Sequence, residues 1–106
     1  MNELTSPHKK IGESFVSLVS IIEKLRSPGG CPWDAEQTHK SLKPNILEEV
    51  YELLEAIEKN DSQAILEELG DILLQVVFHA EIAKTSKEFD VQTVCQKITN
   101  KMIKRH

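Results

Sequence analysis

The sequence predicts an all-α protein, a four-helix antiparallel bundle completed by oligomerisation, and three observations carry that prediction. Apolar residues recur at three- and four-residue intervals; strand-like alternation is never sustained; and Gly and Pro gather in one stretch, Ser27-Pro28-Gly29-Gly30-Cys31-Pro32. At 106 residues the chain buries only a marginal core alone, so a second copy is expected to cover part of its apolar surface. With 40% hydrophobic and 28% charged residues, it has the composition of a chain that folds.

The first helix is read from Ile11, Phe15, Leu18, Val19, Ile22 and Leu25, and it stops at the Pro/Gly run. A second apolar stripe holds Ile46, Val50, Leu53, Leu54 and Ile57, with Pro44 near its start and Asn60-Asp61 after its end. The third holds Ile65, Leu69, Ile72, Leu73, Val76 and Ala80, capped by Asp61 or Ser62. A weaker fourth holds Val91, Val94, Cys95, Ile98 and Met102, with Asp90 as its cap. So short a connection between the second and third helices predicts an antiparallel pair.

Several function classes drop out at this stage. Apolar runs are far shorter than the roughly 20 residues that cross a bilayer, and the N-terminus is polar, so no membrane is expected and a cytoplasmic address follows by default. Cys31 and Cys95 lack both CxxC pairing and zinc spacing, which makes them reduced thiols. A net charge of −4 argues against a surface that grips a nucleic-acid polymer.

The chemistry lies in an internal repeat. Shifted by 19 positions, Ile46-Leu47-Glu48-Glu49-Val50-Tyr51-Glu52-Leu53-Leu54 falls on Ile65-Leu66-Glu67-Glu68-Leu69-Gly70-Asp71-Ile72-Leu73. Each helix therefore carries an acidic pair at i and i+3, Glu49 with Glu52 and Glu68 with Asp71, flanking its apolar stripe. The midpoints of the pairs are equidistant from position 60, where the turn falls. At 1.5 Å per residue each lies about 14 Å from the turn, so a hairpin brings the four to one level. Like charges so close repel, and a hard cation, Mg²⁺ or Mn²⁺, is the natural compensation. A di-iron carboxylate bundle would need two ExxH motifs, and Glu36-Gln37-Thr38-His39 stands alone.

Glu48-Glu49-Val50-Tyr51-Glu52 followed by Glu68-Leu69-Gly70-Asp71 resembles the EExxE…ExxD signature of the MazG-like nucleoside triphosphate pyrophosphohydrolases. The likeness extends through Gly30-Cys31-Pro32-Trp33-Asp34, Gln37-Thr38-His39, the run from Gly70 to Ala80, Lys101 and Arg105-His106. It implies an all-α bundle of the NTP pyrophosphatase type, working as a homodimer or higher oligomer. Such an enzyme cleaves NTPs or dNTPs between the α- and β-phosphates to the monophosphate and pyrophosphate, with Mg²⁺ held by Glu49, Glu52, Glu68 and Asp71, in a role such as nucleotide-pool housecleaning.

Around that quartet, Glu48 is a candidate to orient or deprotonate the attacking water, or else a surface residue. The resemblance also implies that Lys101 and Arg105, four positions apart, face the nucleotide, although a basic helix end has its own electrostatic reason to exist. Trp33, placed in the Pro/Gly loop, either stacks on a base or anchors that loop. His39 is read as a structural hydrogen-bonding residue. The chain is taken as one domain over residues 1–106. Family members commonly continue past the Arg-His pair into Pro-His-Val-Phe, so this one is read as truncated or as one copy of a tandem. The alternative function is a non-catalytic helical oligomerisation or regulatory module, which has no reason to keep the four acids in register.

Overall fold

A computed structural model describes residues 5–106, and among them every regular element is a helix: α1 (Ser6–Arg26), α2 (Pro32–Glu36), α3 (Lys43–Glu58), α4 (Ser62–Thr85) and α5 (Val91–Arg105). None of the described helices is long and apolar enough to cross a membrane. The chain divides into two compact units, the first ending at Glu36 and the second running Gln37–His106.

In the first unit the Thr5 side chain caps α1 by accepting from the His8 amide, Pro7 sits in the opening turn, and Ile22 is buried. The helix ends where the chain turns back on itself. Gly29 takes a φ of 85°, the Cys31 amide donates to the Leu25 carbonyl at 2.8 Å, and the Arg26 guanidinium donates to the Asp34 carbonyl at 2.7 Å. A Cβ on Gly30 would run into the carbonyl oxygens of Lys24 and Leu25, both backbone atoms that cannot swing aside. Gly30→Ala is therefore expected to cost about 1–3 kcal/mol, measurable as a lower urea midpoint. A variant of native stability would show that this turn has room to relax.

The sequence reading expected four helices and a loop at Trp33. The structure instead folds Pro32–Glu36 into the short helix α2, with Pro32 at its first position, where a missing amide costs nothing. Trp33 stands on that helix rather than in a loop, and it is 57% exposed.

The second unit is built on the α3–α4 hairpin. Pro44 opens α3, preceded by Leu42, whose side chain is buried. After Glu58 the chain reverses through Asn60, which adopts a φ of 52°, a left-handed conformation that Asn tolerates better than most residues. The Asp61 amide donates back to the Ala56 carbonyl at 3.3 Å while its carboxylate accepts from the Ala64 amide at 3.2 Å. One residue thus closes α3 and opens α4. Asp61→Ala should cost about 1 kcal/mol, and Asp61→Asn, which can still cap, much less; thermal melts of the two variants check this, and equal melts would remove the cap from the account.

The deepest core lies in the C-terminal half of α4, where Val77, Phe78, Ala80, Ile82 and Ala83 are buried. Beyond it Asp90 caps α5, accepting from both the Thr93 amide and its hydroxyl at 3.0 Å; these bonds hold the Asp90 carboxyl below its ordinary value. The turn-side half of the hairpin is different. Val50, Leu54 and Ile57 on α3 and Leu69 and Leu73 on α4 belong to the predicted stripes, yet each is between 40% and 52% exposed. Periodicity fixes which face is apolar, but a face is buried only where a second surface meets it.

Candidate metal centre

Four carboxylates meet across the hairpin. Glu49 and Glu52 lie one turn apart on α3, Glu68 and Asp71 one turn apart on α4, and an oxygen from each lies within 4.8 Å of the others. Two features of sequence produce this: the shared i, i+3 spacing, and a turn at Lys59-Asn60-Asp61 that places the pairs at equal distances along antiparallel helices. Glu49 and Glu68 are half-buried, Glu52 and Asp71 exposed, so the cluster has an inner and an outer edge.

The electrostatics record the strain of that proximity. Burial first, then hydrogen bonding to Glu52 and the charges of Glu52, Asp71 and Glu49, push the Glu68 carboxyl up to about 7. Glu49 is raised by burial and by Asp71, Glu52 and Glu48, with a hydrogen bond from Glu68 acting in the other direction. A proton on Glu68 thus serves its neighbours as glue. It does not satisfy the site, since Glu49 Oε2 and Glu68 Oε2 are both buried without a hydrogen-bond partner. Buried acceptors left unpaired cost about 1–3 kcal/mol each, more when charged.

A cation would meet both demands, neutralising the charge and occupying the lone pairs. Opposed ligands of an ion bound at about 2.1 Å stand roughly 4 Å apart, a separation the observed cluster accommodates. The all-oxygen donor set suits Mg²⁺ or Mn²⁺ and offers nothing to a soft metal.

Glu48, Lys101, Arg105 and Trp33 complete the set of candidate residues. Glu48 is exposed and touches the site through its charge on Glu49. Lys101 and Arg105 are exposed on α5. Lys101 borders a shallow depression beside Lys97 and Lys104; Arg105 does not. Trp33 belongs to the first unit.

Two features of the second unit go beyond the sequence reading, which took His39 as a structural hydrogen-bonding residue without assigning it a partner residue. His39 and His79 stack with ring centroids 5.0 Å apart and nearly parallel planes, their Nδ1 atoms 2.8 Å apart, and burial and His39 lower the His79 pKa. Beside Glu49, residues of α3, α4, α5 and the segment leading into α5 line a half-open apolar cavity of about 340 Å³. The available signal was Gln75, the one polar residue in the run Ile72–Phe78.

An all-helical protein that converges four acids from a helical hairpin defines a class of helical proteins with a carboxylate centre suited to hard cations. Comparison with known proteins makes the class specific. Residues 37–106 match the family model of the MazG nucleotide pyrophosphohydrolase domain. The chain is 54% identical over 98 residues to the nucleoside triphosphate pyrophosphohydrolase/pyrophosphatase MazG of Thermotoga maritima, covering 92% of this chain and 38% of that protein. It is 46% identical over 90 residues to the nucleoside triphosphate pyrophosphohydrolase of Escherichia coli K12, covering 84% of this chain and 34% of the relative. Among solved structures, a mazG-related protein from Thermotoga maritima superposes with a TM-score of 0.68 at 32% identity, over 81% of this chain and 74% of that one. The chain belongs to the MazG nucleotide pyrophosphohydrolase family, and it spans a little over a third of the length of the curated relatives described.

Proposed function

We propose that this chain is a divalent-cation-dependent nucleoside triphosphate pyrophosphohydrolase module that converts NTPs or dNTPs to the monophosphate and pyrophosphate. The observation that carries the reading is the quartet, whose buried, unpartnered Glu49 and Glu68 oxygens fit an ion better than they fit solvent. Glu49, Glu52, Glu68 and Asp71 are the residues that would hold it, as Mg²⁺ or, in substitution, Mn²⁺. Bound there, the ion supplies charge neutralisation for the triphosphate and acidifies the attacking water.

The chain's own residues do the rest. The two helices fix the carboxylates before substrate arrives, so little reorganisation is left for the reaction. Glu48, exposed and next to Glu49, would orient a water or accept its proton. Lys101 and Arg105, exposed on α5, would meet the substrate's phosphates. The exposed apolar side of the hairpin, including Leu54 and Leu69, supports a second copy as its cover and a bundle of helices from both chains. Free Cys31 and Cys95 fit the reducing cytoplasm, where housecleaning of the nucleotide pool would be the task.

The test is pyrophosphate release from a panel of NTPs and dNTPs with Mg²⁺ and with EDTA. Turnover that appears with the cation and vanishes with chelator is the expected result. A folded, cation-bound protein inert on the whole panel would make the chain a binding module instead.

A further inference from the structure

The cavity beside Glu49 presents an apolar surface, with Val76 and Phe89 among its walls, and it borders the quartet through Glu49 itself. Behind that surface lie polar atoms that the fold leaves unused. Gln75 Oε1 and His79 Nε2 are both buried with no hydrogen-bond partner, and both residues line the cavity. Leaving two such atoms unpaired at one wall costs the fold stability, so they call for a reason outside the folded chain.

Their spacing supplies one. Asp71, Gln75 and His79 recur every four residues on α4, so they form a ladder on one side of the helix, rising about 6 Å per step from the quartet. A nucleotide whose phosphates lie at the quartet must place its base about one to two such steps away, since the ribose intervenes. A nucleobase also has the matching chemistry, with apolar faces and a polar edge. The cavity's about 340 Å³ leaves room for a base together with part of its sugar.

We propose that this cavity receives the nucleoside end of the substrate, with Gln75 and His79 as specificity residues that read the base edge and Phe89 as an apolar wall against its ring. The Gln75 amide offers a donor and an acceptor side by side and swings into the cavity by rotation of its last torsion. His79 Nδ1 lies 2.8 Å from His39 Nδ1, so whether Nε2 donates or accepts is coupled to which of the two rings carries the shared proton. His39 would then act as a positioning residue. The proposal rests on the pyrophosphohydrolase reading for the location of the phosphates.

Its test is a binding measurement, separate from turnover. The full 106-residue chain is titrated with AMP, GMP, CMP and UMP and their deoxy forms in the presence of Mg²⁺, followed by NMR. The Gln75 side-chain amide and the Phe89 ring should shift on binding, and affinities should differ among bases. Gln75→Leu, similar in size, should weaken the preferred base by about tenfold while compressing the differences among bases; His39→Phe should shift the ranking of bases by removing the hydrogen-bond partner of His79 Nδ1. A Gln75→Glu variant keeps the shape and tests the same pattern should the leucine mispack.

Nucleotides that bind without shifting Gln75 or Phe89, or a loss that is uniform across bases, would overturn the proposal, as would no binding of any nucleotide. Gln75 and Phe89 signals that respond to protein concentration rather than nucleotide would also overturn it, giving the cavity to a second copy of the chain. Base-selective binding without pyrophosphate release from any triphosphate would sustain the pocket and sink the hydrolase.

Discussion

Glu52→Gln and Asp71→Asn will each reduce pyrophosphate release by about a thousandfold or more while leaving the helical fold intact. Both residues are exposed, so neither side chain holds the core together, and each replacement keeps the shape while removing one negative charge from four that stand within 4.8 Å. The structural cost is small and the chemical cost large. Without its cation the variant should even melt higher than the parent, because the repulsion that raises Glu49 and Glu68 loses a contributor. The measurement is steady-state turnover paired with a melt in EDTA. Either variant retaining turnover within a few fold, with a native melt, would remove that residue from the metal centre; a large loss of both turnover and stability would instead mark a structural role.

How much of this was legible in the sequence depends on whether a feature is set by local period or by distant packing. The hairpin was legible because Asp61 both ends one helix and caps the next, and Asn60 accepts the reversed backbone. With the turn located, two i, i+3 pairs at equal distances from it sufficed to place four acids together. Helix α2 escaped because five residues are too few for a periodicity, and a Pro/Gly cluster reads as a loop even when Pro32 starts a helix. The His39–His79 stack joins residues 40 positions apart through a contact no pattern announces. Leu54 and Leu69 show the limit most clearly: their phase marks them for burial, yet they are exposed, because burial requires a facing surface that periodicity does not supply.

The second large effect is a cation-dependent gain in stability that grows with pH. The Glu68 carboxyl rises from 4.5 to about 7, so the folded chain holds a proton more tightly than the unfolded chain does. The resulting stabilisation is complete below pH 4.5 and is lost as pH rises through about 7. Glu49 shifts in the same direction. Two other groups act with the opposite sign: lowered His79 favours folding above its ordinary 6.5, and lowered Asp90 favours it above 3.8. Raw melts of the parent therefore mix these contributions. The difference between the parent and Glu68→Gln isolates the carboxyl, and without cation the parent's relative stability should decline between pH 4.5 and about 7. A cation must displace the Glu68 proton to bind, so its affinity should climb over the same interval, and binding at pH 6 should release protons. At 100 to 1,000 times its dissociation constant, Mg²⁺ should add roughly 3–4 kcal/mol. Melts with Mg²⁺ and with EDTA at pH 5 and pH 8, with calorimetry in buffers of different ionisation enthalpy, measure both quantities. A Mg²⁺ increment equal at the two pH values, or binding with no proton release, would mean that the ion does not compete for the Glu68 oxygens, and the centre would have to be rebuilt without that residue.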